Sequence, residues 1–473
     1  MKLRYTVAAF LLLKQGIEQA VERSNGLGEL EEEVGNLVRT CASQVLQGVL
    51  EGLDERLMAA RDRSLEEEGL RSRRIVSTFG ELTVWRRLYR DRNTGEWRFL
   101  LDEALGLEPR ARVTPRLREV AVELGVEVPF RRAAEIIGKM MPNVSAMTVW
   151  EAVREAGEKA RAEGKELRER VFGRGEDPGG TRKTDRLNIE ADGMLVGVQR
   201  SRKKREEVKL GVAYEGKETT GERVELVERR VVAGVVKDEA FWEETAATLG
   251  GHWDLSEVKE VVIGADGASW AKAGVGYFDK AKYQLDEFHL RKAMREALGH
   301  DLGAYRAVSE ALRSKDRERV MEALRQAEKR ATGEVRQGIR DFELYVLGNW
   351  DGIKGSAESL GTIEGQVYHH LARRMKRQGA RWTPDGADRM SRLLAAKANG
   401  ELGKYLVTGD HGAKKPRPIP QAEAERVRDV DEEAEEIGAW LRARVPALTG
   451  PYQSRPFVKY VLRQIVMATG TDL

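Results

Sequence analysis

The stretch DRLNIEADGMLVGVQ, residues 185–199, opens a run of segments whose order decides the fold. Apolar residues alternate along it, as they do in a strand with one buried face. The segments EEVKLGVAYEG (206–216) and ERVELVERRVVAGV (222–235) repeat this pattern and predict a three-stranded meander. A helix over DEAFWEETAATLG (238–250) and a continuous apolar strand in VKEVVIGADG (258–267) follow. This order predicts a mixed sheet with helices packed against it.

The sheet is completed by a short helical piece and by a strand in KAKYQLDEFH (280–289). Three meander strands, a helix, a buried strand, a helix and a final strand are the element order of a ribonuclease-H-like sheet. The expected fold class is therefore α/β within a multidomain α+β chain, with a ribonuclease-H-like mixed sheet flanked by helices.

The chain has 473 residues, more than one hydrophobic core usually supports, so several folding units are expected. Residues 1–70 predict a helical region, and residues 71–110 a small antiparallel β element with turns at Phe79-Gly80 and Asn93-Thr94-Gly95. The remaining expected parts are a helix-turn-helix-like region (111–170), the ribonuclease-H-like core (185–297 and 350–395), an all-helical insertion (298–349), and a basic linker with C-terminal helices (396–473).

Within the helix-turn-helix-like region, FRRAAEIIGK (130–139) predicts a first helix. Ser145 is expected to cap a second helix, because its hydroxyl can accept hydrogen bonds from first-turn amides. The second helix would then present Thr148 to a DNA groove. Two helices that only pack together give the same pattern, so both interpretations stay open.

Three carboxylates stand in an order suited to metal-dependent DNA cleavage. Asp192 ends an alternating strand, and Asp266 follows a buried one. Glu364 begins a basic helix and shares its apolar stripe with Leu371 and Met375 at helical spacing. Two or three such carboxylates can hold two magnesium ions for phosphodiester chemistry. For Glu364, a helix N-terminal glutamate favoured by the helix dipole is the alternative.

The motif QLDEFHL adds two secondary candidates. Asp286 competes with Asp266 for the second metal position, but it ends the strand after the one that normally supplies this carboxylate. His289 could contact phosphate or transfer a proton, and a purely structural role is the alternative.

The chain as a whole is nearly neutral, with 81 basic and 78 acidic residues and a net charge of +3. Positive charge is therefore informative only where basic residues cluster. Basic clusters lie at residues 200–205, 373–381 and 414–417, as phosphate contacts require. A solvated hairpin tip is the alternative for residues 200–205. The expected DNA-binding residues are Arg200, Arg202, Lys203, Lys204, Arg205, Arg373, Arg374, Lys376, Arg377 and Thr148.

The single cysteine, Cys41, excludes an intramolecular disulfide and a multi-cysteine zinc site, which agrees with a reducing cytoplasmic location. No apolar run reaches the roughly 20 residues that span a bilayer, so no membrane partner is expected.

Several strings resemble one known family: STFGELTVWRRLYRD (77–91), IEADG (189–193), VVIGADGASWAK (261–272), YQLDEFH (283–289) and EGQVYHHLARRMKRQGARWTPDGADRM (364–390). They are similar to the ISLre group of bacterial insertion-sequence transposases, distant relatives of the Mutator type. The resemblance runs from about residue 30 to residue 400, and the blocks around Asp266 and Glu364 are its most specific motifs.

This resemblance implies a DDE transposase with a ribonuclease-H-like core and the triad Asp192, Asp266 and Glu364. It implies magnesium as cofactor, with manganese able to substitute, and double-stranded DNA as partner, both element ends and target. A homodimer or larger oligomer on DNA is expected, because two ends must be brought together. Many Mutator-type relatives carry Cys-x-x-His where this chain has Asp286-Glu287-Phe288-His289. A host nuclease or resolvase, and a non-catalytic DNA-binding regulator, are the alternative functions.

Overall fold

A computed structural model describes residues 3–109, 111–139, 144–221, 223–355, 360–376 and 379–406. These residues form two compact units, one within residues 1–117 and the other within residues 118–406. Both units contain helices and strands, so the chain is of mixed α and β composition. None of the helices in the described ranges is long and apolar enough to cross a membrane.

The first unit combines long helices with a three-stranded antiparallel sheet. The glycines of both predicted turns, Gly80 and Gly95, have φ angles of 119° and 75°, a region that glycine adopts at no steric cost. The sheet begins at Leu65, earlier than the expected residue 71. The strand pairing continues past a β-bulge between Glu67 and Leu70 and reaches the pair Leu65 and Asp91. The elements are α1 (Leu3–Arg23), α2 (Leu27–Ala59), β1 (Leu65–Ser77), β2 (Gly80–Asp91), β3 (Trp97–Arg98) and α3 (Leu100–Ala104).

A buried carboxylate ties both long strands of this unit to α3. Asp102 accepts hydrogen bonds from Arg73 at 2.7 Å and from Arg86 at 2.8 Å, and all three residues are buried. Arg73 also donates to the carbonyls of Glu108 and Ala111. Buried charges are tolerated when they are paired and hydrogen-bonded in this way.

The second unit begins within the helix α4 (Pro115–Glu127), which is followed by α5 (Phe130–Gly138) and α6 (Ala146–Arg168). The predicted first helix is α5. The predicted cap is confirmed, because the Ser145 side chain accepts a hydrogen bond from the Thr148 amide at 3.1 Å. A π-helical turn, Glu169–Gly173, extends α6.

A five-stranded mixed sheet follows. Its strand order is β10-β9-β4-β5-β8, with β4, β9 and β10 parallel and with β5 antiparallel to both of its neighbours. The single strand predicted over residues 222–235 is instead two strands, because Glu228 turns the chain at a φ of 52°. The strands are β4 (Arg186–Gly197), β5 (Arg205–Tyr214), β6 (Gly216–Thr220), β7 (Arg223–Val227), β8 (Arg230–Gly234), β9 (Glu260–Ala265) and β10 (Ala281–Leu285); β6 and β7 form a separate hairpin.

The two faces of β4 differ sharply in chemistry. Leu187, Ile189 and Ala191 are fully buried in an apolar core that includes Trp242 of α7 (Asp238–Gly250). The alternate residues of β4, which include Asp192, point to the opposite face because strand side chains alternate. The apolar core therefore fixes which face of the sheet carries the carboxylates.

Helices fill the remainder of the second unit. The expected insertion is helical and has an apolar core of its own, which includes Leu324 and Phe342. The helices are α8 (Ser269–Lys272), α9 (Glu287–Leu298), α10 (Leu302–Arg313), α11 (Arg317–Arg330), α12 (Gly333–Gly348), α13 (Trp350–Lys354), α14 (Ile363–Gln366), α15 (Arg373–Met375), α16 (Pro384–Ala398) and α17 (Gly403–Leu406). A 3-10 turn, Ala273–Tyr277, follows α8, and a π-helical segment, Val367–Ala372, joins α14 to α15. The C-terminal helices and the basic cluster expected after residue 406 lie outside the described residues.

We expect Asp102→Ala to lower the free energy of unfolding by about 3–5 kcal/mol, because two buried guanidinium groups lose their counter-charge. The adjacent Glu103 pairs with Arg98 at the surface, so Glu103→Ala should cost less than about 1 kcal/mol. Urea denaturation followed by circular dichroism measures both losses. Equal losses for the two variants would contradict the role given to Asp102.

Candidate functional site

Three aspartates share one level of the parallel part of the sheet. Ala191 of β4 pairs with Ala265 of β9, which in turn pairs with Leu285 of β10. The residues that follow these three are Asp192, Asp266 and Asp286. Because neighbouring strands lie about 4.8 Å apart, the register alone brings the three aspartates to adjacent positions. Asp192 lies within β4 and not at its end, because β4 continues to Gly197 along β5.

Asp192 lies in a setting that disfavours its charge. The pKa of its carboxyl is raised to about 6, mainly by burial and in smaller part by the carboxylates of Asp266 and Glu364, while a hydrogen bond from Gly193 and the charge of His289 oppose the shift. The Gly193 amide donates to Asp192 Oδ1 at 2.7 Å. Asp266 and Glu364, the other members of the expected triad, are therefore close enough to affect the pKa of Asp192.

Asp266 is held in a turn directly after β9. Its Oδ1 accepts a hydrogen bond from the Ala268 amide at 2.8 Å, and Gly267 has a φ of 104°. The Tyr345 hydroxyl, from α12 of the helical insertion, donates to the Asp266 carbonyl at 2.7 Å. The insertion thus supports the backbone of this aspartate, a contact that sequence analysis did not anticipate.

Asp286 and His289 form a hydrogen-bonded pair at the start of α9. Asp286 is buried and accepts from both the backbone amide and the Nδ1 of His289, each at 2.9 Å. Burial by itself would raise the pKa of Asp286, but these hydrogen bonds hold it below its ordinary value. The hydrogen bond to Asp286 raises the pKa of His289. The contacts of Asp286 thus orient His289, whose Nε2 lies 3.6 Å from Glu364 Oε1.

The expected position of Glu364 on the buried stripe of its helix is wrong. The Glu364 side chain is 56% exposed, whereas Ile363, Leu371 and Met375 are buried. The reason is the π-helical segment, whose hydrogen bonds run from residue i to i+5 and shift every later side chain around the helix axis. Glu364 is therefore free of the apolar core and faces His289.

Glu190 is the carboxylate that sequence analysis missed. It is 1% exposed, lies two residues before Asp192 on the same face of β4, and accepts hydrogen bonds from Thr362 and Ile363. The signal was present in the string IEAD, because a charged residue on the same pleat as Asp192 in a central strand requires partners.

One predicted DNA-binding residue is buried. The Arg374 guanidinium lies 5.1 Å from the ring centroids of both Phe130 and Trp382 and donates two hydrogen bonds to the Gly125 carbonyl. Burial lowers its pKa to about 10. The prediction that Arg374 contacts phosphate is therefore wrong, because the side chain joins the Glu364 helix to α4 and α5. Its neighbours Arg373 and Lys376 are exposed, and Arg377 lies outside the described residues.

The other predicted basic cluster forms the tip of the β4–β5 hairpin. Trp382 pairs with Val198 and exchanges backbone hydrogen bonds with Gly197 and Gln199, which anchors the hairpin. All of the cluster's basic residues are exposed: Arg200, Arg202, Lys203, Lys204 and Arg205. They are accessible to a phosphate backbone, and they equally fit a solvated tip.

Thr148 is not freely presented on α6. Its hydroxyl lies 3.0 Å from that of Ser145, within the cap of the helix. The exposed large apolar side chains of the first turns are Met147 and Trp150, with Arg154 placed 5.6 Å from the Trp150 ring.

The donor chemistry of the site fits a divalent cation. Asp192, Asp266 and Glu364 offer carboxylate oxygens, the ligands that magnesium prefers, and a cation would offset the repulsion by Asp266 and Glu364 that adds to the burial effect on the Asp192 pKa. In the part of the chain that the structure describes, no three His, Cys, Asp or Glu side chains stand at metal-ligand spacing. The exposed side chain of Glu364 has room to change its rotamer.

We expect Asp192→Asn to stabilise the metal-free protein at neutral pH. The folded protein retains the Asp192 proton up to about pH 6, whereas the unfolded chain releases it near 3.8, so stability is lost as pH rises between these values. The variant should therefore gain up to about 3 kcal/mol near pH 7.5, and nothing near pH 3.

Thermal unfolding in EDTA across this pH range measures the difference. Asp279→Asn, at an exposed position before β10, is the matched control and should unfold like wild type. A gain for Asp192→Asn that is the same at every pH would contradict the explanation.

Comparison with known proteins identifies relatives along most of the chain. A "UPF0236 protein in vanSb 3'region" of Streptococcus gallolyticus is 28% identical over 410 residues, which cover 82% of this chain and 87% of that protein. A UPF0236 protein of Caldanaerobacter subterraneus subsp. tengcongensis is 26% identical over 395 residues, with 81% and 80% covered, and its name combines eleven locus designations.

A family model gives the same result. Residues 22–408, which include both expected aspartates, Glu364 and the whole described sheet, match the model described as "Uncharacterised protein family (UPF0236)". The chain therefore belongs to the uncharacterised protein family UPF0236.

Proposed function

We propose that this chain is the DNA transposase of an insertion sequence, which cuts DNA at the element ends and joins them to target DNA. One observation carries the proposal. Asp192 and Asp266 stand at one level of parallel strands, and Glu364 lies next to them across His289. This arrangement suits three carboxylates that act together on a phosphodiester.

The topology of the sheet supports a ribonuclease-H-like core. An antiparallel meander of β4, β5 and β8 is followed by β9 and β10, which run parallel to β4 on its other side. This is the order expected from the sequence. A carboxylate on the first strand and another after the fourth then fall at the same edge.

The relatives give independent support. One Caldanaerobacter relative carries eleven locus designations in its name, and another carries four. A protein encoded at many places in one genome is what a mobile element produces when it copies itself. A host nuclease or resolvase has no reason to be present in such numbers.

Residues of the chain divide the proposed chemistry among them. Asp192, Asp266 and Glu364 would hold magnesium or manganese, and the bound metal would supply the charge that phosphodiester cleavage requires at the attacking and leaving oxygens. Asp286 holds the His289 ring through Nδ1, so that Nε2 is directed towards Glu364. His289 can there contact a phosphate oxygen or hold a proton.

Double-stranded DNA is the proposed partner. The exposed hairpin tip at 200–205, together with Arg373 and Lys376, would contact phosphates of element ends and target. The α5–α6 pair would add contacts through the exposed start of α6. Two copies of the chain would be needed to bring two ends together.

Asp266→Asn should abolish metal-dependent cleavage and leave binding to element ends intact, because it removes a ligand charge and retains the side-chain volume. The test incubates wild type and variant with DNA carrying the gene's own flanks, in magnesium, manganese or EDTA, and maps the 3′-ends. Asp279→Asn is the same substitution at an exposed site before the start of β10, whereas the candidate site lies at the end of that strand. This variant should cleave like wild type.

Cleavage by Asp266→Asn at the wild-type rate would contradict the triad. Metal-dependent nicks without preference for two inverted ends would favour a nuclease or resolvase. Binding of the ends by wild type without any cleavage would favour the DNA-binding regulator or an inactive copy.

Replacing Arg202, Lys203 and Lys204 together by Ala should weaken binding to DNA of any sequence. If each side chain neutralises one phosphate, the slope of log K against log salt should become shallower by about 3. Fluorescence anisotropy at several salt concentrations measures this slope. Lys259→Ala with Lys282→Ala, exposed side chains at the starts of β9 and β10, is the control and should keep the wild-type slope. An unchanged slope for the triple variant would favour the solvated tip.

A further inference from the structure

We infer that Glu190 is a positioning residue, a buried carboxylate on β4 that holds the N-terminus of the helix carrying Glu364 in register with Asp192. This inference rests on the proposed function for its catalytic consequence. The hydrogen bonds from Thr362 and Ile363 to Glu190 can be tested by a measurement that does not depend on activity.

Both oxygens of Glu190 are fully used. Oε2 accepts hydrogen bonds from the backbone amides of Thr362 at 2.8 Å and Ile363 at 3.2 Å. Oε1 accepts from the Tyr214 hydroxyl at 2.7 Å and from the Thr362 hydroxyl. Four donors around a residue that is 1% exposed satisfy the carboxylate where no water reaches it.

The helix that receives this carboxylate has no cap of its own. The Thr362 side chain makes no capping hydrogen bond to the first turn of α14. The first amides of a helix lack partners within the helix and carry partial positive charge, so an anion at this end is favourable. Glu190 therefore supplies from the sheet what Ser145, Asp286 and Asp301 supply locally at other helices.

The neighbouring strand leaves room for this contact. Gly264 of β9 pairs with Glu190, and a Cβ at Gly264 would lie 2.6 Å from Leu360 Cδ1 and 3.4 Å from Glu190 Cγ. A larger residue there would push the chain before α14 away from the sheet. Gly264 and Glu190 together let this segment approach β4 closely.

The geometry links two members of the triad by a short path. Glu190 lies two residues before Asp192 on one face of β4, and Glu364 lies two residues after Thr362. The side chain of Glu364 is exposed, so the core does not fix its position. The cap at Thr362 and Ile363, together with the burial of Leu360 and Ile363, therefore holds the backbone that carries Glu364. A displacement of about 1 Å in such a group can cost about 100-fold in rate.

Two substitutions of nearly equal size separate capping from other roles. Glu190→Gln can still accept from both amides through its oxygen, and its NH₂ can donate to the Tyr214 and Thr362 hydroxyls, which rotate to accept. Glu190→Met has similar length but offers the two amides no comparable acceptor. Capping predicts that Gln retains function and Met loses it.

The first readout is amide hydrogen exchange of the peptide spanning residues 360–366 in the full chain. Loss of a cap should speed its exchange by roughly 2- to 30-fold in Glu190→Met, with little change in Glu190→Gln. Asp266→Asn is the control, since it should leave this exchange at the wild-type rate. Equal exchange in wild type and Glu190→Met would overturn the inference.

The second readout is cleavage of element-end DNA at saturating DNA concentration. We expect Glu190→Met to lose about 100-fold in rate with unchanged end binding, and Glu190→Gln to stay within about 5-fold of wild type. Full activity in Glu190→Met would overturn the positioning role. Inactivity of Glu190→Gln with wild-type exchange would also overturn it, because the charge itself would then be needed.

The two proposals fail in different ways. If wild type cleaves no DNA under any condition, the transposase proposal fails, and hydrogen exchange still decides whether Glu190 holds the helix. If wild type cleaves and Asp266→Asn does not, the transposase proposal stands. Glu190 variants that then behave like wild type would contradict only the positioning role of Glu190.

Discussion

The parallel register of β4, β9 and β10 is the constraint on which the candidate site depends. Backbone pairing of Ala191 with Ala265, and of Ala265 with Leu285, places three aspartates from distant parts of the chain at one level. The register is in turn held by the apolar face, since a slip of one residue would move Leu187, Ile189 and Ala191 out of the core. Packing on one face of the sheet therefore determines the electrostatics of the other.

That electrostatic arrangement disfavours the charge of Asp192. Burial is the main cause of its raised pKa, and the nearby carboxylates of Asp266 and Glu364 add to the shift. Asp286 is stabilised by its hydrogen bonds with His289, and Glu190 accepts four hydrogen bonds. Asp192 and Asp266 each accept one hydrogen bond on Oδ1 from a backbone amide, and the exposed Glu364 lies beside His289. These three carboxylates are therefore less fully hydrogen-bonded than Glu190.

Several side chains could not be assigned correctly from the sequence, and each for an identifiable reason. Arg374 sits in a basic run, yet it alone of the described residues in that run meets Phe130 and the Gly125 carbonyl, both far away in sequence. Glu364 appeared to share the stripe of Leu371 and Met375 because a regular helix was assumed, and the π-helical segment breaks that count. The Thr148 hydroxyl lies against the Ser145 hydroxyl within the helix cap that was predicted there. Non-local packing and local irregularity leave no periodic signature in a sequence.

The sequence by itself determined the chain order of β4, β5, β8, α7, β9 and β10, the buried face of β4 and the Ser145 cap. These follow from periodicity and from turn and cap chemistry, which act over a few residues and are written directly in the chain. Only the tertiary structure decided that Asp192, Asp266 and Asp286 stand at one level, and that Glu190 caps the helix of Glu364. These depend on strand register and on contacts between residues more than 100 positions apart, which arise only when the sheet closes against its helices.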